Sequence, residues 1–277
     1  SPTEHGFVSM VPLDAEHFGV VWLDGRAMHD HGGSGDVGDH GGGDMTLRTV
    51  TFDAKGRLGR EREIDTRTCE CCQTAAIPVE GGMLVAYRDR SDEEVRDCAI
   101  VRVTADDISD ARPVHADGWN QEGCPVNGPS LAIAGERIAA VWYTEAKRPQ
   151  VRACFSEDGG RSFGKPIVID DGNPVGRVDI VPHPAAGWLV CWLERGDGTG
   201  EVRVRAVTPE GDVRPSLLVA RTSESRAAGF PRIERLGARV IVAWTEVENA
   251  PAGTTAPARV RTAELVYPVE DEESDSP

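Results

Sequence analysis

Two spacings repeat along this chain and confine it to a narrow set of folds. Five short apolar segments reach an aromatic ring: FGVVWLDG, GMLVAYRD, IAAVWYTE, GWLVCWLE and VIVAWTEV, with Trp22, Tyr87, Trp142, Trp192 and Trp244 in equivalent places. Four turn segments recur between them, TFDAKGR, VTADDIS, FSEDGGRSF and VTPEGDV, and carry Asp53, Asp106, Asp158 and Glu210. The acids step by 53, 52 and 52 residues, and the next aromatic follows each acid by 34, 36, 34 and 34. Between these markers the chain alternates apolar and polar residues, is rich in Val, Ile and Thr, and turns at Gly and Asp, as strands do. No stretch has a long 3.6-residue apolar period. A four-stranded antiparallel unit repeated at 40–50 residues is a β-propeller blade, whereas an ordinary β-sandwich leaves the constant spacing unexplained.

The expected fold is therefore all-β: one β-propeller domain over residues 1–267, built from five repeats at about 5–65, 66–118, 119–172, 173–222 and 223–267. Strand a opens each repeat, strand b carries the aromatic, strand c alternates and strand d follows the acidic turn. An acidic turn placed 34 residues before Trp22 falls ahead of residue 1, and the fifth repeat has no good strand d. Either the ring closes imperfectly, or blade sequence upstream of Ser1 completes a ring of six or more blades; the second is the expectation. Residues 268–277, EDEESDSP at their core, form an acidic tail expected to be disordered.

Thirty Lys and Arg against 46 Asp and Glu leave a formal charge of −16, which argues against nucleic acid and anionic membranes as partners. No apolar run approaches the ~20 residues of a membrane-spanning helix, so no membrane insertion is expected. The start, SPTEHGFVSM, has neither an initiator Met nor a signal-type apolar run, and reads as a mature or trimmed product.

Chemistry concentrates on one rim. The d-to-a connections and b-to-c loops of a propeller open on a single face, where they would place Glu4 and His5, Asp24 and Arg26, Arg88, Asp89 and Arg90, Asn127, Arg177 and Asp179, and Arg232. Convergent polar groups at a concave mouth are a binding-site pattern. On this reading Glu4, His5, Asp24, Arg90 and Asn127 bind a ligand. Arg26, Arg88, Asp89, Arg177, Asp179 and Arg232 are catalytic candidates. Their pairing with one another, purely to tie blades together, is the rival account.

The segment TRTCECCQTAA puts Cys69, Cys71 and Cys72 at the start of a strand a, and GCPVNGP puts Cys124 at the corresponding place one repeat later. The first b–c loop is long, 26 residues from Trp22 to Arg48 against 10 from Trp142 to Arg152, and brings His29, His31, His40 and Met45 to the same rim. Thiolates, imidazoles and thioethers together suit Cu(I) or Zn(II). A disulfide from one of the three cysteines to Cys124, and thiol catalysis, stay open beside the metal. Cys98, Cys154 and Cys191 lie in apolar strand sequence and read as buried, inert thiols; seven cysteines cannot all pair within one chain.

The turn SEDGGRSF, with Ser156, Asp158, Gly160 and Phe163, fits the Ser-x-Asp-x-Gly-x-x-aromatic Asp box, and the other turns are degenerate copies. With the ~52-residue blades, the chain resembles sialidase-like, BNR-repeat propellers over nearly all its length. The set TEHGFVS, WLDGR, MTLR, CECCQTA, YRDRS with the RD of Arg96 and Asp97, GCPVNGP, GRVD and GFPR resembles a poorly characterised, exported bacterial branch of that superfamily. The resemblance implies a structural Asp158 on the c–d hairpin, opposite the mouth, and a periplasmic or extracellular setting. Sialidase chemistry itself would need three converging arginines, a Tyr nucleophile assisted by Glu, and an acid. The arginines are available, but only Tyr87, Tyr143 and Tyr267 exist, and the first two sit on blade-packing positions. The leading expectation is a propeller with a polar mouth and a copper or zinc site; the alternative is an exo-sialidase-type hydrolase, or a glycan- or carboxylate-binding propeller that uses the arginines.

Overall fold

The computed structural model describes residues 3–28, 43–208, 210–237, 239–247 and 257–266. The expected tail, and His29, His31 and His40, lie outside them. The described chain folds into five antiparallel sheets in sequence order. The first holds β1 (His5–Pro12), β2 (His17–Asp24), β3 (Thr46–Asp53) and β4 (Arg62–Asp65). The second holds β5 (Ala75–Val79), β6 (Gly82–Arg88), β7 (Cys98–Thr104) and β8 (Arg112–Pro113). The third holds β9 (Ser130–Ala134), β10 (Arg137–Thr144), β11 (Gln150–Ser156) and β12 (Ile167–Val168). The fourth holds β13 (Pro174–His183), β14 (Gly187–Arg195), β15 (Gly200–Val207) and β16 (Leu217–Thr222). The fifth holds β17 (Arg232–Leu236), β18 (Arg239–Val247) and β19 (Ala258–Val266). These are the five repeats, four with a strand d and the last without one among the described residues. The fold is an all-β, multi-bladed propeller.

Period-two alternation builds the packing, because neighbouring residues of a strand face opposite sides. On β10, Ile138, Ala140 and Trp142 pack against the second blade, while Ala139, Val141 and Tyr143 pack against the fourth. On β14, Trp188, Val190 and Trp192 face the third blade, and Leu189, Cys191 and Leu193 the fifth. Tyr87 likewise faces the first blade. The repeated aromatic thus fills the interface with the preceding blade, and this is the physical reason for its constant spacing. Trp142 and Trp192 are fully buried; truncating either to Ala would cost about 3–5 kcal/mol. Trp22, on the same face of the first blade, is only half-buried.

Four apolar clusters join successive blades, first to second through second to third, third to fourth and fourth to fifth. Among the described residues no such cluster joins the fifth blade to the first. Val8 and Met10 on β1, and Leu236, Val260 and Val266 on the fifth blade, are exposed. The innermost strands β1, β5, β9, β13 and β17 together line a central cavity of about 450 Å³. Cys98 and Cys154 lie in the cluster between blades two and three and Cys191 between four and five, all fully buried, with their thiols pushed up by burial.

Candidate functional site

The connection from β4 to β5 carries the three thiols, and backbone bonds hold it in place. Thr68 donates its N–H to the carbonyl of Met45 at 2.8 Å, and Cys69 donates to Arg88 at 3.0 Å. Gln73 and Gly128 exchange a reciprocal pair, the Gln73 amide donating to the Gly128 carbonyl at 3.1 Å and accepting its N–H at 2.8 Å. A Cβ at Gly128 would collide with the Gln73 carbonyl oxygen, so this clamp needs glycine. It fixes the thiol loop of the second blade against the loop that carries Cys124.

The Cys69 Sγ lies 3.2 Å from that of Cys72 and 3.8 Å from that of Cys71. All three sulfurs fall within 4.8 Å of one another. Cys124, exposed, lies outside this tight set yet interacts with Cys71, and that contact holds its thiol low. N–H groups point at the sulfurs: Arg96 Nη1 donates to Cys69 and the Asn127 backbone to Cys72, each at 3.4 Å. Hydrogen bonds from Cys71, Cys72 and then Arg96 hold the Cys69 thiol well below its ordinary value. Contacts with Cys124, Cys69 and Cys72 push Cys71 up, and burial pushes Cys72 up. Of the three thiols, that of Cys69 is the one held low. Arg88 and Arg96, both buried, lie behind the cluster, and thiolate charge on Cys69 acts on both.

Met45 is a correction to the metal set. It is 1 % exposed and packs with Val21, Leu23 and Leu47 against Met83, because an apolar thioether at the start of β3 faces the next blade rather than the rim.

The arginines are mostly committed. Arg88 donates Nε to the Asn127 carbonyl (2.6 Å), Nη1 to Arg96 (2.5 Å) and Nη2 to Tyr143 (2.8 Å), and lies over the Trp119 ring at 4.7 Å. It is a blade-to-blade clamp. Arg26 bonds Asp24 at 2.7 Å and Glu61 at 2.8 Å. Asp24 is buried; despite that burial, hydrogen bonds from Arg26 and from the Trp22 indole at 2.7 Å keep its carboxyl low. His5 Nδ1 lies 3.3 Å from the same Asp24, while Glu4 is exposed and its carbonyl caps Gly25. Arg90 is held by Glu94 and Glu70. Asp89, next to Asp65, is pushed up to about 6, first by burial and then by that charge. Asp179 is buried, accepts from Ser130 and the Ile233 N–H, and pairs with Arg232 at 3.1 Å. Tyr87 donates to Asp65.

Asp158 sits at the turn after β11 and closes it. Its Oδ1 accepts the Ser162 N–H at 2.9 Å and the Ser156 hydroxyl at 2.7 Å, while Ser156 Oγ accepts the Gly160 N–H. Phe163 packs onto the cluster between blades two and three.

Arg177 is different from the other candidates: it is buried and carries no carboxylate partner among the described residues. Around it stand Asn127, Tyr143 and Glu145, with Arg195 and Arg226, in a pocket of about 370 Å³. Arg96 and Arg195 escaped the sequence reading. Arg195 had a signal, since it stands three residues after Trp192 as Arg90 does after Tyr87; Arg96 stood in the RD pair of the motif set but was given no role.

No family model and no curated protein matches the chain. Among solved structures it is similar to the Bombyx mori GH32 beta-fructofuranosidase BmSUC1, with 11% identity and a TM-score of 0.52 over 96% of this chain and 63% of that one. The NanB sialidase from Streptococcus pneumoniae, as its K499G mutant, gives 11% identity and 0.47 over 80% of this chain and 36% of that one. The catalytic domain of a Coprinopsis cinerea GH62 alpha-L-arabinofuranosidase gives 10% and 0.47 over 93% and 89%. The chain thus spans about a third of the sialidase and under two thirds of the insect enzyme. At these identities the likeness is one of fold alone: a propeller-type architecture.

Proposed function

We propose that the protein binds one thiophilic metal ion, Cu(I) or Zn(II), through Cys69, Cys71 and Cys72, with Cys124 as a fourth ligand. The observation that carries this reading is the gathering of three sulfurs within 4.8 Å on one short loop. Two thiolates at about 2.3 Å from a tetrahedral zinc sit about 3.8 Å apart, the separation of Cys69 and Cys71. N–H donors aimed at Cys69 and Cys72 are the outer contacts that orient and stabilise thiolate ligands. A cluster of three thiolates with Cu(I), or four with Zn(II), carries two negative charges, and Arg88 and Arg96 supply two positive ones behind it.

When bound, the ion would supply soft Lewis-acid or one-electron chemistry at the rim. The chain's own part is to hold the sulfurs, keep Cys69 ionised and exclude water from its buried side. The proposal includes a periplasmic or extracellular location, where unprotected neighbouring thiols oxidise and a bound ion would keep them reduced. A sialidase-type hydrolase draws less support, because Arg26 and Arg88 are engaged within the fold, Arg232 pairs with Asp179, and Tyr87 is buried against Asp65.

The test is metal analysis of anaerobically purified protein. About one equivalent is expected, and none in Cys71→Ser/Cys72→Ser; equal metal in both overturns the reading. Cys124→Ser separates the two ions: a trigonal copper site survives it, while a four-thiolate zinc site loses affinity.

A further inference from the structure

The four sulfurs of the rim are graded by depth. Cys124 is exposed, Cys71 is half-buried, and Cys69 and Cys72 are 1 % and 2 % exposed. Their contacts follow the same order. Cys124 touches Cys71, Cys71 lies 3.8 Å from Cys69, and Cys69 lies 3.2 Å from Cys72. The inner end is walled by protein. Arg96 and the Asn127 N–H point at the two deep sulfurs, the Cys69 N–H bonds the Arg88 carbonyl, and both arginines are buried. Among the described residues, the side of the cluster that meets solvent is the side of Cys71 and Cys124.

The loop that carries Cys124 is fixed at its ends and open at its tip. Gln121 donates its N–H to the Glu94 carbonyl at 3.0 Å, and the clamp between Gly128 and Gln73 ties the other end. Glu122, Gly123 and Cys124, between these anchors, are exposed. The Cys124 carbonyl accepts from Arg226 Nη2 at 3.1 Å, so the backbone is held while the residue stays open to solvent. Val126, two residues on, has φ 52°, an outlier for a β-branched residue, and such strain persists only where the surroundings fix it. Holding Cu(I) does not explain this loop. Three thiolates complete a trigonal Cu(I) site, and the three sulfurs within 4.8 Å of one another do not include Cys124. A fourth thiol, exposed and touching the outermost of the three, is left without a part in the filled copper site.

We infer that the protein takes its ion from a Cu(I)–thiolate complex by ligand exchange, and that Cys124 is the capture ligand that passes the ion through Cys71 to the buried pair Cys69 and Cys72. This role rests on the copper form of the site proposed above. In the first step a Cu–S bond to Cys124 forms as one Cu–S bond to the donor breaks. The Cys124 thiol gives up its proton and the departing donor thiolate takes one up. Cys71, Cys69 and Cys72 then replace Cys124 and the remaining donor ligands, each releasing a proton to a leaving thiolate or to water. Copper stays Cu(I) throughout and no electron moves. Exchange of thiolate for thiolate keeps each step close to balance, because the ion never leaves soft ligands. The inward direction comes from the three sulfurs sharing one short loop, since linked ligands outcompete separate ones by a factor of about 10²–10⁴.

Transfer kinetics test it apart from the site itself. Anaerobic, metal-free protein is mixed with Cu(I)–glutathione, and copper that travels with the protein is measured after timed gel filtration. A second sample is incubated to completion with Cu(I) supplied in acetonitrile, where no thiolate donor competes. Wild type and Cys124→Ser should reach the same final content, about one equivalent, as a trigonal three-thiolate site holds. The initial rate from Cu(I)–glutathione should fall at least about tenfold in Cys124→Ser, because the donor must then meet the half-buried Cys71 directly. Cys124→Met, which puts another soft sulfur at the exposed place, should restore most of that rate, a rescue that a merely structural cysteine would not show. Equal initial rates in wild type and Cys124→Ser overturn the capture role and leave the metal site standing. A Cys124→Ser that never fills makes Cys124 a permanent ligand and overturns the role as well. No copper in the wild type from either source overturns the metal reading, and the capture role with it.

Discussion

The backbone N–H of Asn127 points at the Sγ of Cys72 from 3.4 Å, across the junction of the second and third blades. The same residue accepts the Arg177 N–H on the fourth blade at 2.6 Å. One buried asparagine therefore joins the thiol loop to the arginine pocket. Asn127→Ala would leave the Arg177 N–H and the Val175 carbonyl without partners in the interior. The expected loss is about 2–4 kcal/mol of stability, read by urea denaturation, together with weakened metal binding. Unchanged stability would mean that the two sites are held independently.

Thiol reactivity should separate the cysteines by exposure and charge. Cys124 is exposed and its thiol is held low, whereas Cys69, whose thiol is also held low, is 1 % exposed. A thiolate must be reached as well as formed to react. In native, metal-free protein, brief treatment with a thiol-modifying reagent at neutral pH should label Cys124 first. Peptide mapping by mass spectrometry reads this, and added Zn(II) should slow it. Labelling that begins at Cys98, Cys154 or Cys191 would contradict the packing described above.

Asp89 gives the fold a pH dependence of predictable sign. Its carboxyl is pushed up from an ordinary 3.8 to about 6, by burial first and then by Asp65. The folded state therefore holds more protons than the unfolded chain between pH about 4 and 6, and stability falls as pH rises through that window. The residue is partly open to solvent, so the effect is discounted to about 1–2 kcal/mol. Asp89→Asn should match the wild type near pH 4 and exceed it by that amount near pH 7. Denaturation curves at the two pH values check this; an equal difference at both would place the cause elsewhere.

Blade architecture was legible because it follows local rules. The aromatic of strand b must face the preceding blade, so Tyr87, Trp142 and Trp192 keep one spacing. The polar end of each ring tells a different story. Trp142 donates to Asp117 and Tyr87 to Asp65, acids of the preceding repeat, and Trp192 to Glu194 two residues on. Only the last is visible along the chain. The thiols were legible as a rim cluster because three of them share one loop. Met45 was misread because its neighbours in sequence are Gly and Asp, while its side chain obeys the parity of β3. The difference between Arg88, which bonds three carbonyls through three nitrogens, and Arg177, which bonds two through Nη1, depends on where distant carbonyls fall, which no spacing encodes.

That split yields the clearest mutational contrast. Arg88 is 2 % exposed, and its three bonds go to the carbonyls of Asn127, Arg96 and Tyr143, with Trp119 stacked beneath it. Removing the guanidinium by Arg88→Met leaves those carbonyls unsatisfied in the interior and withdraws a cation from behind the thiolates. Breaking such a buried arrangement should cost about 3–5 kcal/mol. Lysine does not rescue it, because a single ammonium cannot span three carbonyls in the plane of a fork. Arg226→Ala, by contrast, removes an exposed group and should change stability by less than about 1 kcal/mol. Thermal and chemical unfolding of the two variants distinguishes the buried clamp from the exposed cation. An Arg88→Met as stable as the wild type would overturn the clamp.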